Sequence, residues 1–341
     1  MSKELDPSRI LEVGLGFWQS RTLLSAIELG VFTLLGNRSM RGEEIGKELG
    51  LNPRGVWDFL DGLVALGFLE REDNGVDGKY RNIELSSVYL DKNSSNYIGG
   101  ILEMASTRLF RYWGDLTEAL KTGKPQSESK HNKEPIFDIL YRDPVKLEEF
   151  MRAMTGLSAR NFESFVTKFD FSKYKSLCDV GGATGQLSIL VAKANPHIQC
   201  VTFDLPAVEP IAKKYIRDAG VADRVKTASG HFFKDPLPKA DIITMGMILH
   251  DWNLENKMHL IREAYEALPE GGVFVAIENI IDDARRQNVF GLMMSLNMLI
   301  EFGDAFDFTG ADFSRWCKEA GFKDTQVLPL GGPASAALAY K

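Results

Sequence analysis

The stretch LCDVGGATG, Leu177–Gly185, is an apolar run that stops abruptly in glycines. Leu177 to Val180 read as a buried strand, and Gly181, Gly182 and Gly185 as the turn that delivers the chain into a helix. Small residues let a backbone approach a ligand closely, and the first turn of a helix carries N–H groups with no partner inside the helix. A plain strand-to-helix turn uses the same residues, and the spacing G-G-x-x-G is not the G-x-G-x-x-G of dinucleotide-binding folds. The next segment, VTFDLP at Val201–Pro206, ends a second strand on Asp204, 19 positions past Gly185. An acid there accepts the hydroxyls of a ribose; it also suits the cap of the helix that Pro206 opens. With the glycine turn upstream, the ribose reading is the stronger.

Working outward, short apolar runs alternate with helical stretches from Ser176 onward. Strands are predicted at Ser176–Val180, Gln199–Phe203, Val225–Ala228, Ala240–Met245, Val273–Ile277, Lys323–Leu328 and Ala334–Tyr340. Helices are predicted to begin near Gly185, Ala207, Leu254, Gln287 and Ala311. This alternation predicts an α/β domain with a mostly parallel seven-stranded sheet, the last two strands forming an antiparallel edge hairpin. Ligands in such sheets bind beyond the carboxyl ends of the strands.

A third segment, MILHDW at Met247–Trp252, places His250 and Asp251 at the end of a strand read as Asp241–Leu249. A lone histidine is often structural, but this one lies on the ligand-binding edge and is a candidate base. Asp251 either meets a substrate or caps the next helix. As neighbours at a strand end the two are expected to face opposite ways, and His259 has no paired ligand spacing, so no metal site is predicted. Glu278 and Asp307 are candidate partners for the second imidazole nitrogen, where a carboxylate fixes the tautomer and stabilises the imidazolium. FGLMMSLNMLIEF, Phe290–Phe302, is an apolar helix with Met294, Met298 and one amide, Asn297. A buried amide needs partners, so Asn297 is conspicuous.

The first part of the chain reads differently. Leu11, Leu15, Trp18, Leu23, Leu24 and Ile27 recur at helical spacing, and Arg41–Leu49, Pro53–Leu66 and a polar hairpin near Asn74–Lys79 resemble a winged helix-turn-helix. DNA binding and helical packing or dimerisation both use such a module. The recognition-helix position offers Arg54 beside Asp58 and Asp61, and the net charge is −7. Both speak against a nucleic-acid partner, which needs a basic face. The polar stretch Lys121–Glu134 is the linker candidate, giving domains at 1–120 and 135–341 joined by 121–134. Three cysteines, Cys178, Cys200 and Cys317, fit reduced buried thiols better than a disulfide framework. With no apolar signal core in MSKELDPSRI and no membrane-length apolar run, a soluble, cytoplasmic protein is expected.

Taken in order, DVGGATG, FDLP, FFKDPLP at Phe232–Pro238, LHDW, SLNML at Ser295–Leu299 and EAGF at Glu319–Phe322 carry a resemblance. The chain resembles the S-adenosylmethionine-dependent small-molecule O-methyltransferases of the caffeic acid and acetylserotonin type, including bacterial polyketide-tailoring members, over nearly its full length. RNIELSSVYL, Arg81–Leu90, is similar to the end of that family's dimerisation domain. The resemblance implies a Rossmann-like class I methyltransferase domain behind a winged-helix-like, mainly helical dimerisation domain. It implies S-adenosyl-L-methionine as cofactor, a small aromatic hydroxyl compound as acceptor, and a homodimer. By position, it implies cofactor contacts from Tyr141, Gly181, Gly182, Gly185, Asp204, Leu205, Gly230, His231 and Phe232. It further implies that His250 is the base, flanked by Glu278 and Asp307, and that Asp251, Met294, Asn297 and Met298 meet the acceptor. Carbon or nitrogen methylation, cofactor-assisted hydroxylation, and a cofactor-sensing DNA-binding regulator are the alternatives. The sequence departs from the pattern at Ala183, where a third glycine is usual, at His231, where an acid is usual, and at Gly246-Met247, where a basic residue is common.

Overall fold

The structure is a computed structural model that describes residues 5–73, 77–130 and 143–341. It divides into two compact units, Met1–Arg111 and Tyr112–Lys341.

In the first unit, α1 (Ser8–Gly14) and α2 (Gly16–Leu29) precede α3 (Val31–Leu35). A three-stranded sheet of β1 (Met40–Arg41), β2 (Leu69–Arg71) and β3 (Lys79–Asn82) runs in the order β1-β3-β2 beside α4 (Gly42–Glu48) and α5 (Pro53–Ala65). This is a winged-helix arrangement. The Asn52 side chain caps α5 by accepting the Arg54 N–H, and Pro53 suits the first turn. Phe32, Leu35, Ile45, Leu60, Leu63 and Tyr80 close the core. The apolar stripe read from the sequence is only partly filled: Leu24 and Ile27 are buried, whereas Leu11, Leu15 and Trp18 are exposed. Arg54 pairs with Asp58 on its own helix, and Asp61 holds Arg71 at 2.6 Å. The helix that would read DNA thus carries a single basic residue, Arg54, and that one is paired with an acid.

The second unit is built on seven strands, all of which the alternating pattern predicts. They are β4 (Ser176–Val180), β5 (Gln199–Asp204), β6 (Val225–Ser229), β7 (Ile242–Gly246), β8 (Val273–Glu278), β9 (Asp324–Gly331) and β10 (Ala334–Tyr340), in the order β6-β5-β4-β7-β8-β10-β9. The first five are mutually parallel; β10 runs antiparallel to both β8 and β9. Successive residues face opposite layers of helices. Leu177, Ile242, Val273 and Val275 point into a core with α7 (Pro144–Lys168), α8 (Gln186–Ala194) and α9 (Glu209–Asp218). Cys178, Ile243, Phe274 and Ala276 point into the other, with α10 (Leu254–Ala267) and α12 (Gly310–Ala320). Two covered faces favour near-continuous apolar runs, and β8 is buried throughout, apolar up to its last residue, Glu278. The remaining helices of interest are α6 (Leu116–Thr122) and α11 (Val289–Phe302).

The stretch read as a linker is docked rather than loose where it is described. Gln126 and Ser127 donate N–H bonds of 2.7 and 3.2 Å to the Ile300 carbonyl, and the Ser127 hydroxyl bonds the Glu301 carbonyl at 2.8 Å. Residues 131–134 of that stretch lie outside the described residues. The three cysteines are free and buried. Among the described residues no helix is long and apolar enough to cross a membrane.

Candidate active site

The parallel strands end along one edge, and that edge collects the motifs. Gly181–Gly185 follow β4, Asp204 ends β5, Gly230, His231 and Phe232 follow β6, and His250 and Glu278 stand at the ends of β7 and β8. Gly181 has φ +67°, a conformation that favours glycine. At Gly182 a Cβ would fall 2.2 Å from the Thr202 Oγ1 and 3.0 Å from the Asp179 carbonyl, so only glycine fits. Beneath it, the Thr244 hydroxyl donates to buried Asp179 at 2.7 Å, and burial raises that carboxyl to about 7. The Asp204 carboxylate accepts the N–H groups of Ala183 at 2.9 Å and Leu205 at 2.7 Å, which aims it across the mouth of the glycine turn. Burial raises its pKa to about 6, against the pull of those two bonds. Gly185 offers no side chain to cap α8, so the first N–H groups of that helix are left for a ligand. These features fit the polar, hydroxyl-bearing nucleoside part of S-adenosyl-L-methionine.

His231 lies in a turn. Its N–H donates to Asp235 at 2.8 Å, and its Nδ1 accepts from Phe233 N–H at 3.2 Å. Phe232 packs edge-on against Trp252, 5.9 Å between centroids. Tyr141 lies outside the described residues.

The His250 region differs from the sequence reading. Strand β7 stops at Gly246, Met247 turns the chain with φ +55°, and Leu249–Asp251 form a short 3-10 turn. Glu278 shapes that turn by accepting the N–H groups of Ile248 at 3.1 Å and Leu249 at 2.9 Å on one carboxylate oxygen. Because the backbone coils instead of extending, His250 and Asp251 do not face opposite ways. The imidazole Nε2 lies 3.3 Å from Asp251, and Nδ1 lies 3.5 Å from Asp307. His250, Glu278 and Asp307 are all nearly wholly buried. Nδ1, both Asp307 oxygens and the second Glu278 oxygen make no hydrogen bond among the described residues. Burial alone would lower the imidazole pKa, but the carboxylates of Glu278, Asp251 and Asp307 raise it, to about 10. Burial in turn raises Glu278 to about 7 and Asp251 to about 6, while His250 lowers both.

Donor atoms of His250, Glu278 and Asp307 lie within 4.8 Å of one another, a spacing that a cation could bridge. The carboxylates of Glu278, Asp251 and Asp307 favour the protonated form of His250, and with Asp304 they favour that of Lys257 against its burial. Helix α11 packs against the turn that holds His250. It carries half-buried Met294, buried Met298 and Asn297, whose Oδ1 accepts the Trp113 indole N–H at 3.0 Å. That bond engages the amide oxygen. Sequence reading missed Trp113 and Lys257, which are distant from the motifs or look like ordinary helix-surface residues.

The fold and the chemistry gathered at its strand ends define a class I methyltransferase. Residues 113–323 match the O-methyltransferase domain, and residues 11–92 match the O-methyltransferase dimerisation domain. The chain is 38% identical to the tetracenomycin polyketide synthesis 8-O-methyl transferase TcmO of Streptomyces glaucescens, covering 98% of this chain and 97% of that one. It is 32% identical to the N,N-dimethyltransferase OxyT of Streptomyces rimosus, over 93% and 91% of the two chains. The crystal structure of human N-acetylserotonin methyltransferase in complex with SAM superposes with a TM-score of 0.91 at 31% identity, covering 100% of this chain and 99% of that one. This chain belongs to the S-adenosylmethionine-dependent O-methyltransferase family.

Proposed function

We propose that this enzyme methylates a phenolic hydroxyl of a small aromatic molecule, as a homodimer, with His250 as general base and no metal ion. The observation that carries this reading is the carboxylate setting of His250. An ordinary imidazole near ~6.5 is about 3.5 units below a phenol near ~10, a deficit of about 5 kcal/mol for proton transfer. Glu278, Asp251 and Asp307 raise the affinity of the imidazole for a proton and narrow that mismatch whenever His250 is in its neutral form. An aliphatic alcohol stays out of reach.

The cofactor supplies an electrophilic methyl group on a sulfonium when bound. Asp204 and the glycine turn hold its nucleoside, with Leu205, Gly230, His231 and Phe232 along the same edge. Asp307, 3.5 Å from Nδ1, favours a proton on that nitrogen, which leaves Nε2 to take the proton that the acceptor hydroxyl gives up on methylation. Asn297, steadied by Trp113, and Asp251 orient the acceptor, while Met294 and Met298 offer polarizable contacts to an aromatic ring. Alignment in a buried site can be worth ~7–11 kcal/mol. His250→Ala should lower turnover by about 10²–10⁴-fold and leave S-adenosylhomocysteine binding unchanged. Full activity of that variant with a phenolic acceptor would overturn the assignment.

The likeness to an N,N-dimethyltransferase favours a second reading, an amine acceptor. A neutral amine attacks without losing a proton first, so its methylation should survive His250→Ala, and product mass separates the two outcomes.

A further inference from the structure

Lys257 is the least expected side chain of the second unit. It is wholly buried and stands in the first turn of α10, where unpaired N–H groups already create positive potential. Burial and helix position both disfavour a cation there. Its ammonium donates to the Trp252 carbonyl and lies 3.6 Å from the centroid of the Phe306 ring. Its main electrostatic partners are Glu278 from β8, Asp251 from the His250 turn, and Asp307 and Asp304 from the segment after α11. The first three are the carboxylates that surround His250. Helix α12, packed along α10, pairs its Glu319 with Arg262 at the surface, 3.4 Å apart. Trp252 and Phe306 adjoin Asp251 and Asp307 in the chain, so the ammonium stands beside the segments that carry two of the acids around His250, without forming an ion pair with either.

Three carboxylates around an imidazole stabilise its protonated form, and an imidazolium accepts no proton. A second cation on the same carboxylates weakens that hold. We propose that Lys257 is a positioning residue for methyl transfer: its buried ammonium offsets the acids around His250 and keeps the imidazole available in its proton-accepting form. This rests on the reading of His250 as the base.

The test is the pH profile of turnover for Lys257→Gln, which keeps an uncharged polar head one atom shorter than the lysine, with Lys257→Met as a second variant of similar length. Burial lowers the Lys257 pKa to about 8, so its charge is present at neutral pH and lost in alkali. At pH 7 the variants should turn over at least about tenfold slower than the native enzyme, as for a shift of one pKa unit. The two profiles should converge by about pH 9–10, with S-adenosylhomocysteine affinity unchanged. A loss independent of pH marks a merely structural lysine and overturns the proposal, as does no loss. His250→Ala belongs in the same series. If it is fully active, both readings fall; if it is inactive while the Lys257 ratio stays flat, only the role of Lys257 falls. If neither lysine variant folds, the native enzyme still decides. Its His250 imidazole, assigned in isotope-labelled histidine spectra against His250→Ala, must show a second inflection as Lys257 discharges, and a single inflection refutes the coupling.

Discussion

Gly182 and Ala183 are neighbours in one turn with opposite tolerances. Ala183 has φ +48°, a left-handed conformation that costs an alanine about 1–2 kcal/mol. Its methyl packs beside Leu147, Met151 and Val208, burial worth about 0.8 kcal/mol. Glycine would also loosen the unfolded chain by about 0.5–1 kcal/mol. These terms nearly cancel, so Ala183→Gly should leave both the urea midpoint and S-adenosylhomocysteine affinity almost unchanged. Gly182→Ala forces a methyl onto Thr202 and the Asp179 backbone. It should cost about 3 kcal/mol or more and abolish cofactor binding in the same titration. Equal behaviour of the two variants would show that the turn yields more easily than its packing implies.

At the scale of elements, α11 depends on Asn288. Its Oδ1 accepts the Gly291 N–H at 3.0 Å, and its amide donates to the carbonyls of Ile280 and Pro333, both at 2.9 Å. One side chain thus fixes the start of the helix that carries Asn297 to the end of β8 and to the edge hairpin. Asn288→Ala removes a cap and strands two carbonyls, so a loss of about 2–4 kcal/mol in chemical denaturation is expected, with a raised KM for the acceptor. The seven strands were legible because a sheet covered on both faces writes itself as short apolar runs between helical periods. Glycine and acid at the ends of β4 and β5 were legible for the same reason: position along a strand follows from the run. The His250 turn was not legible. MGMILH is apolar enough to continue a strand, and what breaks it is the positive φ at Met247 and the hold of Glu278, a residue 30 positions away. Lys257 was hidden by its helical surroundings, since periodicity does not announce which polar face is buried.

For the whole molecule, the first unit leaves Ile10, Leu11, Val13, Phe17 and Trp18 exposed on α1 and α2. Exposed apolar residues gathered on two consecutive helices suit a contact with a second copy, and Leu11 to Trp18 fall within the dimerisation domain match. Light scattering should give twice the chain mass for the native protein and the single mass for Leu11→Asp with Trp18→Asp. A native monomer would reject the homodimer. The second unit carries a different consequence in its thiols. Cys178 and Cys200 lie on the adjacent central strands β4 and β5, and Cys317 lies on α12. Burial raises the pKa of all three, that of Cys200 to about 12. Only a thiolate reacts with a maleimide or an aromatic disulfide, so the buried thiols react only when the sheet or α12 opens. The protein therefore carries its own clock: the rate at which it takes up label counts its openings, with no residue changed.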